Sequence, residues 1–152
     1  MPDAIPPDRP KTPRQRWMAV LARADAAALQ ALLGEPPRYA VLRGPEAGLV
    51  MVRGRTGGGG APFNLGEMTT TRCTVRTDTG FVGHAYVAGR NERLAELAAL
   101  ADALLQDPAQ QPALMRQVIE PLAELQGARR SEIAAKASAT RVQFFAMRNM
   151  RA

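Results

Sequence analysis

The sequence predicts an α+β domain in which an antiparallel sheet of two hairpins plus a C-terminal strand packs with N-terminal and C-terminal helices. Three observations carry that expectation. Helix-capping residues stand at Thr12, Asp25 and Asn91, strand-period apolar segments fill much of residues 39–87, and an apolar stripe of helical period runs from Leu94 to Leu104.

Residues 1–11 carry four prolines and no apolar periodicity, which predicts a disordered, Pro-rich arm before a single domain over 12–152. Thr12-Pro13-Arg14-Gln15 reads as a capping box with proline at the first helical position. The helix it opens runs to about Arg23, with Trp17, Val20 and Leu21 on one side. Asp25 caps a second helix through Leu29, Leu32 and Leu33, which Gly34 and the Pro36-Pro37 pair end.

From Tyr39 the period changes. Tyr39–Arg43, Gly44–Ala47 and Gly48–Arg53 read as strand, turn, strand, and their mixed apolar faces predict that both sides are covered. Gly66–Arg76 and Phe81–Val87 read as a second hairpin about the turn Thr77-Asp78-Thr79-Gly80. Asn91 caps a helix whose stripe is Leu94, Leu97, Ala101 and Leu104, stopped before Pro108. Pro112 and Pro121 each suit a helix start, giving a short helix and then a longer one that carries Arg129, Arg130 and Lys136 on its polar side. Val142–Met147 returns to β character.

A chain of 152 residues can bury one core without metal or disulfides, and the single cysteine, Cys73, excludes an internal disulfide framework. Met1–Arg16 is polar, with no apolar region of a secretory signal, and no apolar stretch is long enough to span a bilayer. A cytoplasmic location away from membranes is expected. The net charge of +6 rests on arginine, since Lys11 and Lys136 are the only lysines. Guanidinium binds phosphate and carboxylate bidentately, so this excess suits anionic ligands or salt-bridged subunit contacts. Abundant Ala, Arg, Gly and Pro also fit the coding bias of a GC-rich genome, which leaves functional weight to particular arginines. A basic chain suggests nucleic acid, but these arginines are not interleaved with stacking aromatics and no helix-turn-helix or RNP pattern is present, which disfavours that reading.

Those particular arginines flank the run from Arg53 to Arg72. Strand-like sequence lies on both sides of its glycines and no Gly-Lys-Ser/Thr closes it, so it is not a Walker A loop. Consecutive glycines can still present successive N–H groups to an anion or approach another chain closely. The anion- or partner-binding candidates are Arg53, Arg55, Gly57, Gly58, Gly60, Arg72 and Arg90. Arg72 and Arg76 share a strand face with Thr70 and Thr74.

Catalytic chemistry has little to stand on. With residues 77–80 as the turn, Cys73 faces His84 across the hairpin, but neighbours Thr71, Val75, Val82 and Tyr86 supply no orienting carboxylate, and a structural pair is expected. One histidine and one cysteine make no zinc set, and no metal site is expected. Glu92, Glu96, Asp102 and Glu124 are expected on solvated helix faces. No catalytic residue is assigned.

The order and spacing of many small motifs is more specific than any one of them. Arg14-Gln15-Arg16-Trp17-Met18, Gly48-Leu49-Val50, Gly57, Gly58, Gly60, Phe63, Gly66, Thr71-Arg72 and Val75-Arg76 are followed by Gly83, Val87, Gly89-Arg90, Ala95-Glu96, Ala103-Leu104, Pro121-Leu122, Arg141-Val142 and Phe144-Phe145. In these the chain resembles the PhnG component of the phosphonate carbon–phosphorus lyase system, over about residues 14–147. It departs at Gly59, where the family pattern has threonine. The resemblance implies one PhnG-like domain acting with the H, I and J subunits of that system in a cytoplasmic assembly. That assembly displaces adenine from MgATP by a phosphonate such as methylphosphonate, giving α-D-ribose 1-methylphosphonate 5-triphosphate. The nucleosidase chemistry is associated with the I subunit, so the isolated chain is expected to be inactive, with MgATP the assembly's substrate and no cofactor of its own. A component that orders a neighbour's active site, a pure scaffold, and a free anion or nucleic-acid binder all stay open at this point.

Overall fold

The computed structural model describes residues 11–55 and 60–142. All of the N-terminal arm but Lys11, the glycines Gly57, Gly58 and Gly59, and the expected terminal strand from residue 143 onward lie outside the described residues; Val142 itself is in no strand.

The helix boundaries follow the capping chemistry. Helix α1 (Pro13–Leu21) opens on a complete capping box: Thr12 Oγ1 accepts from the Gln15 N–H at 3.2 Å, and Gln15 Oε1 accepts from the Thr12 N–H at 2.9 Å. Helix α2 (Ala26–Leu33) opens on Asp25, whose carboxylate accepts from the Ala27 and Ala28 N–H groups, and ends at Gly34. Helix α3 (Glu92–Leu105) opens on Asn91, whose Oδ1 accepts from the Leu94 N–H at 3.0 Å. Each cap contributes about 1 kcal/mol. Burial of Leu94, Leu97, Leu100, Leu104 and Leu105 contributes about 1.5 to 3 kcal/mol apiece. Caps therefore set where α3 starts, and packing sets where it lies.

The sheet has three antiparallel strands in the order β1-β2-β3: β1 (Tyr39–Gly54), β2 (Phe63–Thr77) and β3 (Val82–Ala88). Its two hairpins share β2, and α3 lies across β2 and β3. On its other side α3 meets α1, α2 and the short helix α4 (Gln111–Leu114). A helix packed between a sheet and a helical layer is buried all round, so the single stripe expected for α3 becomes burial of every residue from Leu94 to Leu105 except Glu96.

Two local expectations change. Gly44–Ala47 is not a turn, because β2 is long enough to pair with both halves of β1, and the Gly-Pro signal is absorbed as bulges with register shifts between Val41 and Glu46. Gly44 has φ +74°, and a Cβ there would sit 2.6 Å from the Arg72 carbonyl oxygen. The β2–β3 register also moves by one residue. The Gly80 N–H donates to the Thr77 carbonyl, closing the expected turn, but Gly80 then adopts φ +92° and Thr77 pairs with Phe81. The loop is a three-residue turn with a glycine bulge. Cys73 therefore pairs with Ala85 and Thr74 with His84.

Pro112 and Pro121 both sit at helix starts, but the two helices are joined. A π-helical turn at Met115–Ile119, with the Glu120 N–H donating to the Met115 carbonyl, leads into helix α5 (Glu120–Ala139) without a break. Pro121 cannot donate, and the wider turn just before it accommodates its ring. Leu122 is buried, and Gln126 Nε2 donates to the Val20 carbonyl at 2.8 Å. Beyond Gly127 every described residue of α5 is exposed, including Arg129, Arg130 and Lys136.

Candidate functional site

Alternation in β2 divides the sheet into two faces. Thr71, Cys73, Val75 and Thr77, with Gly83, Ala85 and Val87 of β3, face α3 and are buried. The other face carries Thr70, Arg72, Thr74 and Arg76 with His84 and Tyr86, and no element of the described chain covers it. Past Ala47↔Thr71 the helices end but β1 and β2 continue as a two-stranded ribbon through Gly54↔Phe63.

This ribbon is apolar on both faces and covered on neither. Leu49 and Met51 continue the α3 side; Val50 and Met68 continue the open side. Leu65 folds over Gly54, where a Cβ would collide with its side chain, and Phe63 lies across from Gly54. Leu49 is 64% exposed and Leu65 61%. A half-solvated antiparallel strand ordinarily alternates apolar and polar residues. The mixed apolar faces of β1 predict cover on both sides; within the described chain they are bare.

The arginine candidates do not form one cluster. Arg53 and Arg55 stand exposed at the tip, and Gly60 is half-buried. Arg72 lies at the base, separated from Phe63 by about 30 Å at ~3.3 Å per residue. There Glu46 Oε1 accepts from Arg72 Nε at 2.6 Å and from Arg43 Nε at 2.8 Å. Those two bonds, Arg72 first, hold the Glu46 carboxyl below the usual carboxylate range. A shallow depression of about 120 Å³ on this face is lined by Arg72, Thr70, Tyr86 and Gly48–Val50. Arg90 is on the opposite face, beside Ala47, Leu49 and Thr69. Gly57 and Gly58 lie outside the described residues.

The Cys73–His84 pair does not exist. Cys73 is buried beneath α3, and burial, with Glu96 near by, pushes its thiol above its ordinary range, away from thiolate. His84 is on the far face, where its Nδ1 meets Thr74 Oγ1 at 3.1 Å. Among the described residues no three His, Cys, Asp or Glu side chains come together as a metal set.

Two of the four helical carboxylates are not solvated. Glu96 is half-buried and accepts from the Tyr39 hydroxyl at 2.6 Å; burial, together with this bond, raises the phenol above its usual range. Asp102 is 0% exposed. Its Oδ1 accepts from Arg14 Nε at 3.1 Å and Trp17 Nε1 at 2.9 Å; its Oδ2 accepts from Arg14 Nη2 at 2.7 Å and the His84 backbone N–H at 3.0 Å. Gln106 Nε2 approaches Oδ2 at 3.4 Å. One carboxylate thus joins α1, α3 and the free edge of β3, satisfying an edge N–H that would otherwise lack a partner. A signal for this exists in the sequence: an aspartate flanked by Ala101 and Ala103 in a run that is apolar all round has no solvated face to occupy.

Beside this junction an apolar cavity of about 220 Å³ lies between α1 and β3, lined by Met18, Leu21, Ala22, His84, Ala85 and Ala98 among others. It is smaller than ordinary ligand pockets and has no convergent polar groups. Among the described residues no helix is long and apolar enough to cross a membrane.

Comparison with known proteins accounts for nearly the whole chain. Residues 12–149 match the profile of the family described as phosphonate metabolism protein PhnG. A relative from Rhizobium meliloti (strain 1021), named alpha-D-ribose 1-methylphosphonate 5-triphosphate synthase subunit PhnG, is 45% identical over 137 residues, covering 88% of this chain and 87% of the relative.

Proposed function

This chain belongs to the PhnG family of phosphonate metabolism proteins, and from that membership we propose that it is an accessory subunit of an α-D-ribose 1-methylphosphonate 5-triphosphate synthase. The assembly, with the H, I and J subunits of the carbon–phosphorus lyase system, exchanges the adenine of MgATP for a phosphonate such as methylphosphonate at the ribose C1, in the cytoplasm. The observation that carries the reading is the bare ribbon: a segment apolar on both faces, in a chain whose described residues bring no acid, base or nucleophile set together. Such a chain acts through what it touches. The nucleophile, leaving-group proton and metal-bound triphosphate are then handled largely by its neighbours, while this chain holds them in place or lends an arginine to the triphosphate.

A free anion-binding module fits less well, because Arg72 and Arg43 already share Glu46. Arg72→Ala tests which role applies. Arg72 is 42% exposed in the lone chain, where a solvent-screened pair contributes little to stability, so the chain's own melting temperature should barely move. In the assembly, burial of the guanidinium makes its loss larger. Subunit association or apparent affinity for MgATP should fall about tenfold or more. Loss of association identifies a scaffold contact, and loss of MgATP affinity with assembly intact identifies a substrate contact. No change in either removes Arg72 from the site.

A further inference from the structure

A β-ribbon with two exposed apolar faces is an unusual thing to leave in water. Two-stranded hairpins are marginally stable alone and need a third strand or a packing surface. Here β3 stops at Ala88, opposite Thr70, and α3 covers only the sheet below Thr71, so the ribbon has neither. Six large apolar side chains, Leu49, Val50, Met51, Phe63, Leu65 and Met68, are exposed on it. Their exposed surface is on the order of 500 Å², which matches the largest apolar patches of monomers and makes up much of the ~800 Å² that each partner contributes to a standard interface.

The charges say which kind of surface covers it. Between Ala47 and Thr70 the ribbon carries Arg53 and Arg55 near the tip against one acid, Glu67. Among the described residues neither arginine makes an ion pair. At the base Arg72 and Arg90 add positive charge on opposite faces. A second copy of this chain would bring arginine against arginine in an isologous contact. A different chain, with an apolar floor and carboxylates at its rim, matches both features.

We propose that the ribbon of residues 47–54 and 63–70 is a docking arm that inserts into an apolar, carboxylate-rimmed groove of a different subunit, which covers both of its faces. The inference rests on the accessory-subunit reading above and adds to it the surface and the partner's chemistry.

The test is amide hydrogen exchange on the full-length chain, alone and in the co-purified assembly, together with the ribbon variants Leu65→Asp and Leu49→Asp. The expected result is that ribbon amides exchange at least tenfold more slowly in the assembly. Each variant should weaken association at least tenfold, while the lone chain's melting temperature stays within a few degrees because both side chains are exposed. Equal exchange rates with and without partners, in an assembly that forms normally, would overturn the docking arm and leave the subunit reading standing. Self-association of the lone chain that Leu65→Asp abolishes would overturn it in favour of a second copy. Failure of the wild-type chain to co-purify with the other subunits would overturn both readings.

Discussion

Asp102→Ala is expected to destabilise the chain by about 3 to 5 kcal/mol and to lower its melting temperature by on the order of 10 °C. The carboxylate is fully buried and accepts from Arg14, Trp17 and the His84 backbone N–H, with Gln106 near by. Truncation leaves the buried Trp17 indole N–H and the His84 amide without an acceptor, and each orphaned donor costs about 1 to 3 kcal/mol. Asp102→Asn is the informative control. Its amide nitrogen must stand where one carboxylate oxygen now accepts, so on either side it meets donors, and it should recover only part of the loss. Thermal and denaturant unfolding of the purified chain measure both. A loss under about 1 kcal/mol for Asp102→Ala would mean that water replaces the carboxylate, and the junction would not be what holds α1 to the edge of β3.

Gly83→Ala is expected to cost about 3 kcal/mol or more through a different cause. A Cβ at Gly83 would collide with the Ala99 carbonyl oxygen and would lie 2.5 Å from the Ala103 backbone nitrogen. These are backbone atoms of a helix buried on all sides, so no side chain can swing away. Either α3 lifts from the sheet, losing leucine packing, or β3 shifts and pulls the His84 amide from Asp102. Overpacking in cores typically costs about 1 to 3 kcal/mol, and this site lies at the upper end because both neighbours are rigid. Gly83→Ala and Asp102→Ala act on one contact between β3 and α3, so their effects should be less than additive in a double mutant. Wild-type stability for Gly83→Ala would show that the helix can yield.

The parts of this fold that local chemistry decides are legible in the sequence. The capping box at Thr12, the caps at Asp25 and Asn91, and the α+β order all depend on residues a few positions apart. What escapes depends on distant partners. Gly44-Pro45 carries a turn signal, yet β2 runs on opposite it and turns the signal into a bulge. The turn at residues 77–80 forms where its signal stands, but the positive φ of Gly80 adds a residue to the loop and parts Cys73 from His84. Asp102 is unremarkable as a helical aspartate until layers on both sides of α3 leave it no water. For the candidate site, the arginines group near the glycines in sequence, whereas strand length separates Arg53 and Arg55 from Arg72. The ribbon's apolar faces are visible as a pattern, but only three-dimensional placement reveals that the described chain does not cover them itself.

This chain is expected to contribute to adenine displacement only as part of an assembly. Adenine release from MgATP and methylphosphonate measures that most directly, with the chain alone, with the other subunits lacking it, and with the two recombined. The accessory role predicts no release by the chain alone, strongly reduced release when it is omitted, and recovery when it is added back at a stoichiometric amount. Release of adenine by the purified chain alone, or full activity of the assembly without it, would contradict that role.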